Sequence, residues 1–202
     1  LDTSRTELLL AISKNAFNPK KNDTLRLSPV IKSSSRVNEY EISIMDETGV
    51  EVWSQKGTTL PQSFSWNGNG ADGNVCADGK YVALIQTKSE NGAESSVKSK
   101  WFTLDTIPPD ISVETKYALF SPDSDGRKDS IPFEIKSSEE DSWTATITDS
   151  KGAVVKTYNW KGSVPPFEWD GTDSNGNGLP DGTYKIAFES EDEAGNKTKN
   201  EI

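Results

Sequence analysis

The sequence contains no histidine and only one cysteine among its 202 residues. Without an imidazole, Ser-His-Asp and Cys-His catalytic arrangements and histidine metal sites are excluded within these residues. Paired carboxylates could still support glycoside hydrolysis, but nothing in the sequence holds two of the 32 acidic residues at a fixed separation. The lone thiol, Cys76, cannot form a disulfide within the chain and is interpreted as a small buried apolar residue. We predict that the protein is not an enzyme and has no catalytic residues.

Long apolar runs and clusters of basic residues are also missing. No segment reaches the roughly 20 consecutive apolar residues of a membrane-spanning helix, so we expect no membrane span in this fragment. The net charge of -10 argues against nucleic acid as a partner, because binding to phosphates depends on clustered Lys and Arg. Residues 1–103 hold 12 acidic and 12 basic residues, whereas residues 104–202 hold 20 acidic and 10 basic residues. The excess negative charge therefore belongs to the second half.

The sequence does contain an internal repeat with an offset of 103 residues. Turn residues and strand ends coincide at this offset: Leu1-Asp2-Thr3 aligns with Leu104-Asp105-Thr106, and Phe64-Ser65-Trp66-Asn67-Gly68 aligns with Phe167-Glu168-Trp169-Asp170-Gly171. We predict two domains, residues 1–104 and 105–202. Since Ile202 aligns with Ser99, we expect the second domain to lack its last strand. Leu1 matches the end of a repeat, so we also expect an excerpt of a longer array, with neighbouring repeats as partners.

Each copy has the pattern of a β-sandwich. Tyr40, Ile42 and Ile44 alternate with polar residues, and Trp143, Ala145 and Ile147 repeat the alternation, which predicts half-buried strands. In each copy a short turn follows, from Asp46 to Gly49 or from Asp149 to Gly152, and then a second segment with β-branched residues. This order predicts a β-hairpin. Tyr81 and Tyr184 are predicted to form tyrosine corners. About seven short strands per copy, separated by turn residues, predict an all-β fold of two tandem immunoglobulin-like (Greek-key) β-sandwiches.

The second copy resembles a known family. Its motifs, in chain order, are Phe120-Ser121-Pro122, Trp169-Asp170-Gly171-Thr172-Asp173, Gly178-Leu179-Pro180-Asp181-Gly182-Thr183-Tyr184 and Asp192-Glu193-Ala194-Gly195-Asn196. This order is similar to the Ig-like domain of the bacterial flagellar hook-capping protein, over residues 110–202 and more loosely over the first copy. The resemblance implies a domain of bacterial surface or secreted proteins that acts as a spacer, cap or attachment module.

An acidic loop in the second copy is the first candidate site. Asp123, Asp125 and Asp129 alternate with small, polar and glycine residues, which suits a hard cation that takes six to eight oxygen ligands at about 2.3 to 2.6 Å. Calcium fits this pattern, although a turn stabilised by its own Asp side chains is an alternative. The aligned first-copy loop has Lys20 and Asn22 instead, so we expect no metal there. We expect that the protein requires no cofactor, and that calcium is the one ion that binds to repeat 2.

A second acidic loop in the same copy gives a weaker metal hypothesis. It contains Asp170, Asp173 and Asp181. Because the first copy keeps a similar pattern with different charges, a purely conformational role for Gly and Asn at left-handed positions is the alternative.

Two of the six tryptophans are candidates for a ligand platform. Trp66, Trp143 and Trp169 are predicted core residues from their positions in strands. Trp53 and Trp160 have no aromatic counterpart in the other copy, so exposure of their rings would allow stacking on a glycan.

These observations lead to three hypotheses of function. The first is a structural or adhesive Ig-like repeat module of a bacterial cell-surface or secreted protein, which would be extracytoplasmic and stiffened by calcium. The second is a recognition module for a surface protein or glycan. The third is an accessory C-terminal region of a secreted enzyme.

Overall fold

The computed structural model describes residues 7–32 and 35–202 and shows an all-β protein. The residues Leu1-Asp2-Thr3, which carry the predicted tail of a preceding repeat, lie outside the described residues. The chain separates into two compact units, and the boundary along the sequence falls between Ile107 and Pro108. We call them the first and second units. No helix in residues 7–32 and 35–202 has the length and apolar character to cross a membrane.

The first unit has nine strands within its described residues. They are β1 (Glu7–Ile12), β2 (Ala16–Phe17), β3 (Leu25–Lys32), β4 (Val37–Asp46), β5 (Glu51–Gly57), β6 (Phe64–Trp66), β7 (Gly79–Ser89), β8 (Glu94–Lys98) and β9 (Phe102–Leu104). One sheet has the order β1-β3-β6 and the other β2-β9-β7-β4-β5, with β8 also paired to β7. Consecutive strands β3 and β4 lie in different sheets, as do β5 and β6, so the chain crosses repeatedly between two layers.

The second unit repeats this arrangement with seven strands. They are β10 (Ile111–Glu114), β11 (Ile131–Ser137), β12 (Glu140–Thr148), β13 (Val154–Gly162), β14 (Phe167–Trp169), β15 (Lys185–Glu191) and β16 (Lys197–Glu201). Its sheets have the orders β10-β11-β14 and β13-β12-β15-β16. The prediction of an all-β fold built from Ig-like sandwiches is therefore confirmed.

The alternating residues of β4 and β12 form the inner face of each sandwich. Tyr40, Ile42 and Ile44 are buried on β4, as predicted. Their counterparts on β12 are also buried, namely Trp143, Ala145 and Ile147. Since side chains alternate between the faces of a strand, this register directs one face inward along the whole strand.

A buried tryptophan lies at the same repeat position in each core. Trp66 on β6 is 1% exposed and Trp169 on β14 is 4% exposed, which confirms both as core residues. Phe17 meets Trp66 edge-on with ring centroids 5.6 Å apart, and Phe120 meets Trp169 in the same way at 5.5 Å. Each core contains residues of both sheets. Burial of each large side chain stabilises the sandwich by about 1.5–3 kcal/mol.

Equivalent tight turns join β4 to β5 and β12 to β13. In the first, the side chain of Asp46 accepts a hydrogen bond from the hydroxyl of Thr48 at 2.7 Å and from the backbone N–H of Val50 at 2.9 Å. The Thr48 hydroxyl bond is the main reason that the pKa of Asp46 is lowered. Gly49 has a φ of +85°, where a Cβ would be strained. The predicted hairpin is confirmed here.

Candidate functional site

The acidic loop of the second unit lies between Phe120 and β11 and closes on itself. The backbone N–H of Ser121 donates to the carbonyl oxygen of Lys128 at 2.9 Å, which brings the two ends of the loop together. Ser124, Gly126 and Lys128 all have positive φ, at 63°, 82° and 55°. Such alternation of left-handed residues curls the backbone so that successive N–H groups point into the loop.

Three predicted metal ligands converge in this loop. Asp123, Asp125 and Asp129 each offer a carboxylate oxygen, and these oxygens lie within 4.8 Å of one another. Two oxygens bound to one calcium ion at about 2.3–2.6 Å can be no more than about 5 Å apart, so the spacing fits a shared cation. In residues 7–32 and 35–202 no other group of three or more His, Cys, Asp or Glu side chains is this close.

Backbone amides hold the three carboxylates in place. The two oxygens of Asp129 accept hydrogen bonds from the N–H groups of Ser124 and Gly126, both at 2.9 Å. An oxygen of Asp125 accepts from Arg127 N–H at 2.7 Å, and one of Asp123 accepts from Asp125 N–H at 3.1 Å. Each carboxylate oxygen has a further lone pair, so these bonds orient the ligands and leave capacity for a cation. They equally stabilise the turn without one.

The negative charge of the loop is not neutralised by ion pairs. Within the described chain, no Lys or Arg nitrogen lies within 4.0 Å of the carboxylate oxygens of Asp123, Asp125 or Asp129. The ammonium of Lys128 instead lies 4.9 Å from the ring centroid of Tyr117, in a cation–π contact. The arrangement can therefore bind a hard cation.

The aligned loop of the first unit has a different structure. Pro19–Lys21 forms a short 3-10 turn, and the side chain of Asn18 accepts a hydrogen bond from the backbone N–H of Lys20 at 2.8 Å. Lys14 forms an ion pair with Asp23 at 2.6 Å. Lys20 and Arg26 thus stand at the repeat positions of Asp123 and Asp129, and this loop carries part of the charge difference between the halves of the sequence.

The second acidic loop uses its carboxylates for its own turns. Asp170 accepts from the hydroxyl of Thr172 at 2.7 Å, and this bond is the main reason that its pKa is lowered. Asp173 accepts from the backbone N–H of Asn177 at 2.9 Å, which likewise lowers its pKa. Asp181 is exposed in a separate turn. The structure does not bring the three together as it does the first set, so a metal site there stays a prediction.

The tryptophans proposed as a ligand platform are partly buried. Trp53 on β5 packs against the first core and Trp160 on β13 against the second. The ring of Trp160 lies nearly parallel to that of Tyr158, with centroids 5.7 Å apart, and is tilted against Phe167 at 5.2 Å. A ligand platform at these rings stays a prediction.

The most exposed tryptophan is one that sequence reasoning did not choose. Trp101, between β8 and β9, is 53% exposed. The sequence contains a signal for this exposure. Lys98 and Lys100 come shortly before Trp101, and the segment lacks the alternation of polar and apolar residues that marks a strand with one buried face.

Cys76 is half-buried against the first core, and burial raises its pKa. Its thiol is thus mainly in the unreactive protonated form.

Comparison with known families gives a separate match for each unit. Residues 121–194 match the FlgD Ig-like domain. The predicted resemblance of the second copy to the hook-capping Ig-like domain is thereby confirmed. Residues 10–104 match a different family, the CHU_C Type IX secretion signal domain.

The FlgD resemblance also appears in a direct sequence comparison. The basal-body rod modification protein FlgD of Escherichia coli (strain K12) is 45% identical over 51 residues, which cover 24% of this chain and 22% of that protein. The chain thus corresponds to about a fifth of the length of this relative.

Solved structures of lower sequence identity also align with the chain. Fibronectin(III)-like modules of Clostridium thermocellum CbhA align over 97% of this chain and 92% of theirs, with 14% identity and a TM-score of 0.45. A 1.5-MDa bacterial ice-binding adhesin aligns over 100% of this chain and 64% of its own, with 14% identity and a TM-score of 0.47.

Proposed function

We propose that this chain is a non-catalytic structural or adhesive module of a bacterial cell-surface or secreted protein. The observation that carries the proposal is that the loops of both units are fixed by their own side chains. Asp side chains bond backbone N–H groups two to four residues ahead in turn after turn; these residues are Asp46, Asp72, Asp149, Asp173 and Asp192. Such bonds make short loops rigid, as a domain that transmits position or force requires.

The polar chemistry of the units supports a role without catalysis. Every carboxyl group with a shifted pKa in the described chain is shifted downward, with hydrogen bonds or a neighbouring lysine as the cause. A general acid at neutral pH needs a carboxyl pKa raised by burial or by a like charge. These carboxylates therefore have the electrostatics of structural groups.

Calcium would add stiffness at the acidic loop of the second unit. The three converging carboxylates of Asp123, Asp125 and Asp129 would hold the ion, and the backbone bonds to Asp129 already orient one of them. A bound ion would join the two halves of a loop that is otherwise closed mainly by hydrogen bonds. The chemistry it supplies is cross-linking of oxygen ligands, with no reactive step.

The family matches support an extracytoplasmic location. The second unit resembles a domain of a flagellar protein, and the first resembles a domain named for secretion by the type IX route. The match of the first unit to the Type IX secretion signal domain favours a further candidate function. In this function, the first unit directs export of the protein to which it belongs.

An epitope placed in the exposed turn at Asn91 and Gly92 tests location and export together. We expect protease added to intact cells of the bacterium that produces the protein to remove the epitope, while an epitope on a cytoplasmic protein survives. Survival of the first epitope until the cells are lysed would contradict the surface proposal. In cells without a type IX translocon, the export function predicts that the epitope stays protected, whereas a spacer exported by another route stays accessible.

Replacement of the units tests the structural role itself. Two unrelated Ig-like domains of equal length should preserve whatever display or adhesion the parent protein performs, because a spacer acts through its dimensions. Loss of adhesion with normal surface exposure would instead identify a recognition module.

A further inference from the structure

The strand β13 forms one edge of the four-stranded sheet of the second unit. It pairs with β12 on one side, and no strand in residues 7–32 and 35–202 pairs with its other side. At its beginning a loop covers this edge, because the backbone N–H of Ser174 donates to the carbonyl oxygen of Val155 at 3.1 Å. At its end the chain changes direction at Gly162, which has a φ of +82°. The uncovered part of the edge therefore lies between Val155 and Gly162.

The hairpin between β12 and β13 shows which backbone groups point toward the uncovered edge. The N–H and the carbonyl of Asp149 both bond residues of the turn, so every second residue of β12 before it directs its backbone groups toward β13. Their partners on β13 are Lys156, Tyr158 and Trp160. The residues between these point the other way, as the Val155 carbonyl does, and they are Thr157, Asn159 and Lys161. Their N–H and C=O groups have no backbone partner among the residues that the structure describes.

This edge is complementary to itself when a second molecule of the chain presents β13 in the antiparallel direction. A two-fold axis through Asn159 places Asn159 opposite Asn159 and Thr157 opposite Lys161. Each of these pairs exchanges two backbone hydrogen bonds. If the axis moved by one residue in either direction, Lys161 would face the covered Val155, or Thr157 would face Ser163 beyond the end of the strand. The register about Asn159 is thus the one that pairs all three outward residues.

The core-facing side chains of β13 also match in this register. Tyr158 of one molecule lies opposite Trp160 of the other, and the same pair repeats across the axis. Within one chain the two rings are stacked with centroids 5.7 Å apart, and both are only partly buried. Aromatic pairs across neighbouring strands stabilise a sheet. Each ring would therefore gain an aromatic neighbour on the side where the single chain has no strand.

The charges of β13 permit two molecules to approach at this strand. The second half of the sequence is acidic, but residues 153–166 contain no Asp or Glu. The ammonium of Lys156 lies 3.7 Å from a carboxylate oxygen of Asp170 and donates to the hydroxyl of Thr172 at 2.7 Å, so its charge is balanced within its own chain. Lys161 would face a neutral Thr157. A lysine on an edge strand opposes pairing when it meets another lysine, and this register avoids that contact.

We propose that β13 is the contact of a symmetric dimer, in which two molecules of this chain pair antiparallel about Asn159. The partner is a second copy of the same chain, because every facing pair is matched by two-fold symmetry. One pair of short strands buries less surface than a stable dimer interface, so the association is weak and depends on concentration. The proposal does not rest on calcium binding or on location at the cell surface.

Sedimentation equilibrium of the full chain at up to about 1 mM tests the association. The weight-average mass should rise with concentration toward twice that of one chain. Thr157→Pro should weaken association by about tenfold or more, because it removes an N–H that points to the partner and leaves the bonds to β12 intact. The matched control is Ser54→Pro at the repeat-equivalent position of β5, which should associate as the unchanged chain does. Thermal unfolding of both variants verifies that they are folded.

Cysteine cross-linking tests the register, with Cys76→Ser as the background. Asn159→Cys places two thiols on the axis, where opposite Cα atoms lie about 5.5 Å apart, within the range of a disulfide. Thr157→Cys places them four residues apart along the paired strands, or about 14 Å, which is too far. Mild oxidation should therefore link the first variant and not the second. A monomer at about 1 mM, equal association of Thr157→Pro and the unchanged chain, or equal cross-linking of both cysteine variants would overturn the proposal.

Discussion

The hydroxyl of Tyr81 donates a hydrogen bond to the carbonyl oxygen of Ala77 at 2.7 Å. At the repeat-equivalent position, the hydroxyl of Tyr184 donates to Pro180, also at 2.7 Å. In both units a late strand is thus fixed to the loop four residues before it, which confirms the predicted tyrosine corners. The two bonds differ in their surroundings, because Tyr81 is 4% exposed whereas the bond of Tyr184 is open to solvent.

Replacement of each corner tyrosine by phenylalanine should destabilise the first unit more than the second. Tyr81→Phe leaves a carbonyl oxygen without its buried donor, for an expected loss of about 1–2 kcal/mol in the free energy of unfolding. Tyr184→Phe should lose about 0.5–1 kcal/mol, because water can replace the hydroxyl at an exposed bond. Urea denaturation followed by fluorescence measures both, and equal losses would show that water does not replace the Tyr184 hydroxyl.

The ionisation of Tyr81 should affect stability only in alkaline solution. Burial is the largest cause that raises its pKa from 10.0 to about 12. A raised pKa in the folded state means that stability is complete below the unfolded value of 10.0 and is lost as the pH rises through about 12. Ultraviolet titration of tyrosinate should show one group near pH 12 that disappears in Tyr81→Phe. A variant with an unchanged titration curve would exclude this assignment.

Calcium binding should depend on the acidic loop between Phe120 and β11. Isothermal calorimetry should detect heat when calcium is added to the chain, and Asp125→Ala should abolish it, because one of three converging carboxylates is removed. Asp181→Ala is the matched control, since that acid is exposed in a different turn of the same unit. Absence of heat, or loss of heat in the control alone, would reject a calcium site at Asp125.

Two tryptophan substitutions should separate packing from exposure. Trp160→Ala removes contacts with Tyr158 and Phe167 and should cost about 2–3 kcal/mol of unfolding free energy. Trp101→Ala should change it by no more than about 0.5 kcal/mol, because that ring is mostly in solvent. Thermal and urea unfolding measure the two effects. A larger loss in Trp101→Ala than in Trp160→Ala would mean that the placement of these rings is wrong.

Acid should weaken the turn that contains Asp173. Its pKa lies below the ordinary value of 3.8, chiefly because the backbone N–H of Asn177 bonds its charged form. A lowered pKa in the folded state means that the stabilisation is present above pH 3.8 and is lost as the pH falls through the lower, folded value. Asp173→Asn should therefore flatten the acid limb of the stability curve, and NMR titration of Asp173 should give a midpoint below 3.8. A midpoint at or above 3.8 would contradict the hydrogen bond.

The sequence alone determined the features that depend on local pattern. Alternation placed Tyr40, Ile42 and Ile44 on one buried face, and Asp and Gly at fixed positions specified the hairpin turn at Asp46 and Gly49. These features follow from the period of a strand and from the φ angles that glycine permits, so a few neighbouring residues are enough to predict them.

Only the tertiary structure decided what depends on distant parts of the chain. The sequence favoured Asp123, Asp125 and Asp129 over the set at Asp170, but their convergence requires a loop with three left-handed residues, which the residue pattern does not show. Exposure is equally non-local, because strands distant in the sequence cover much of the ring of Trp160 and leave that of Trp101 mostly in water.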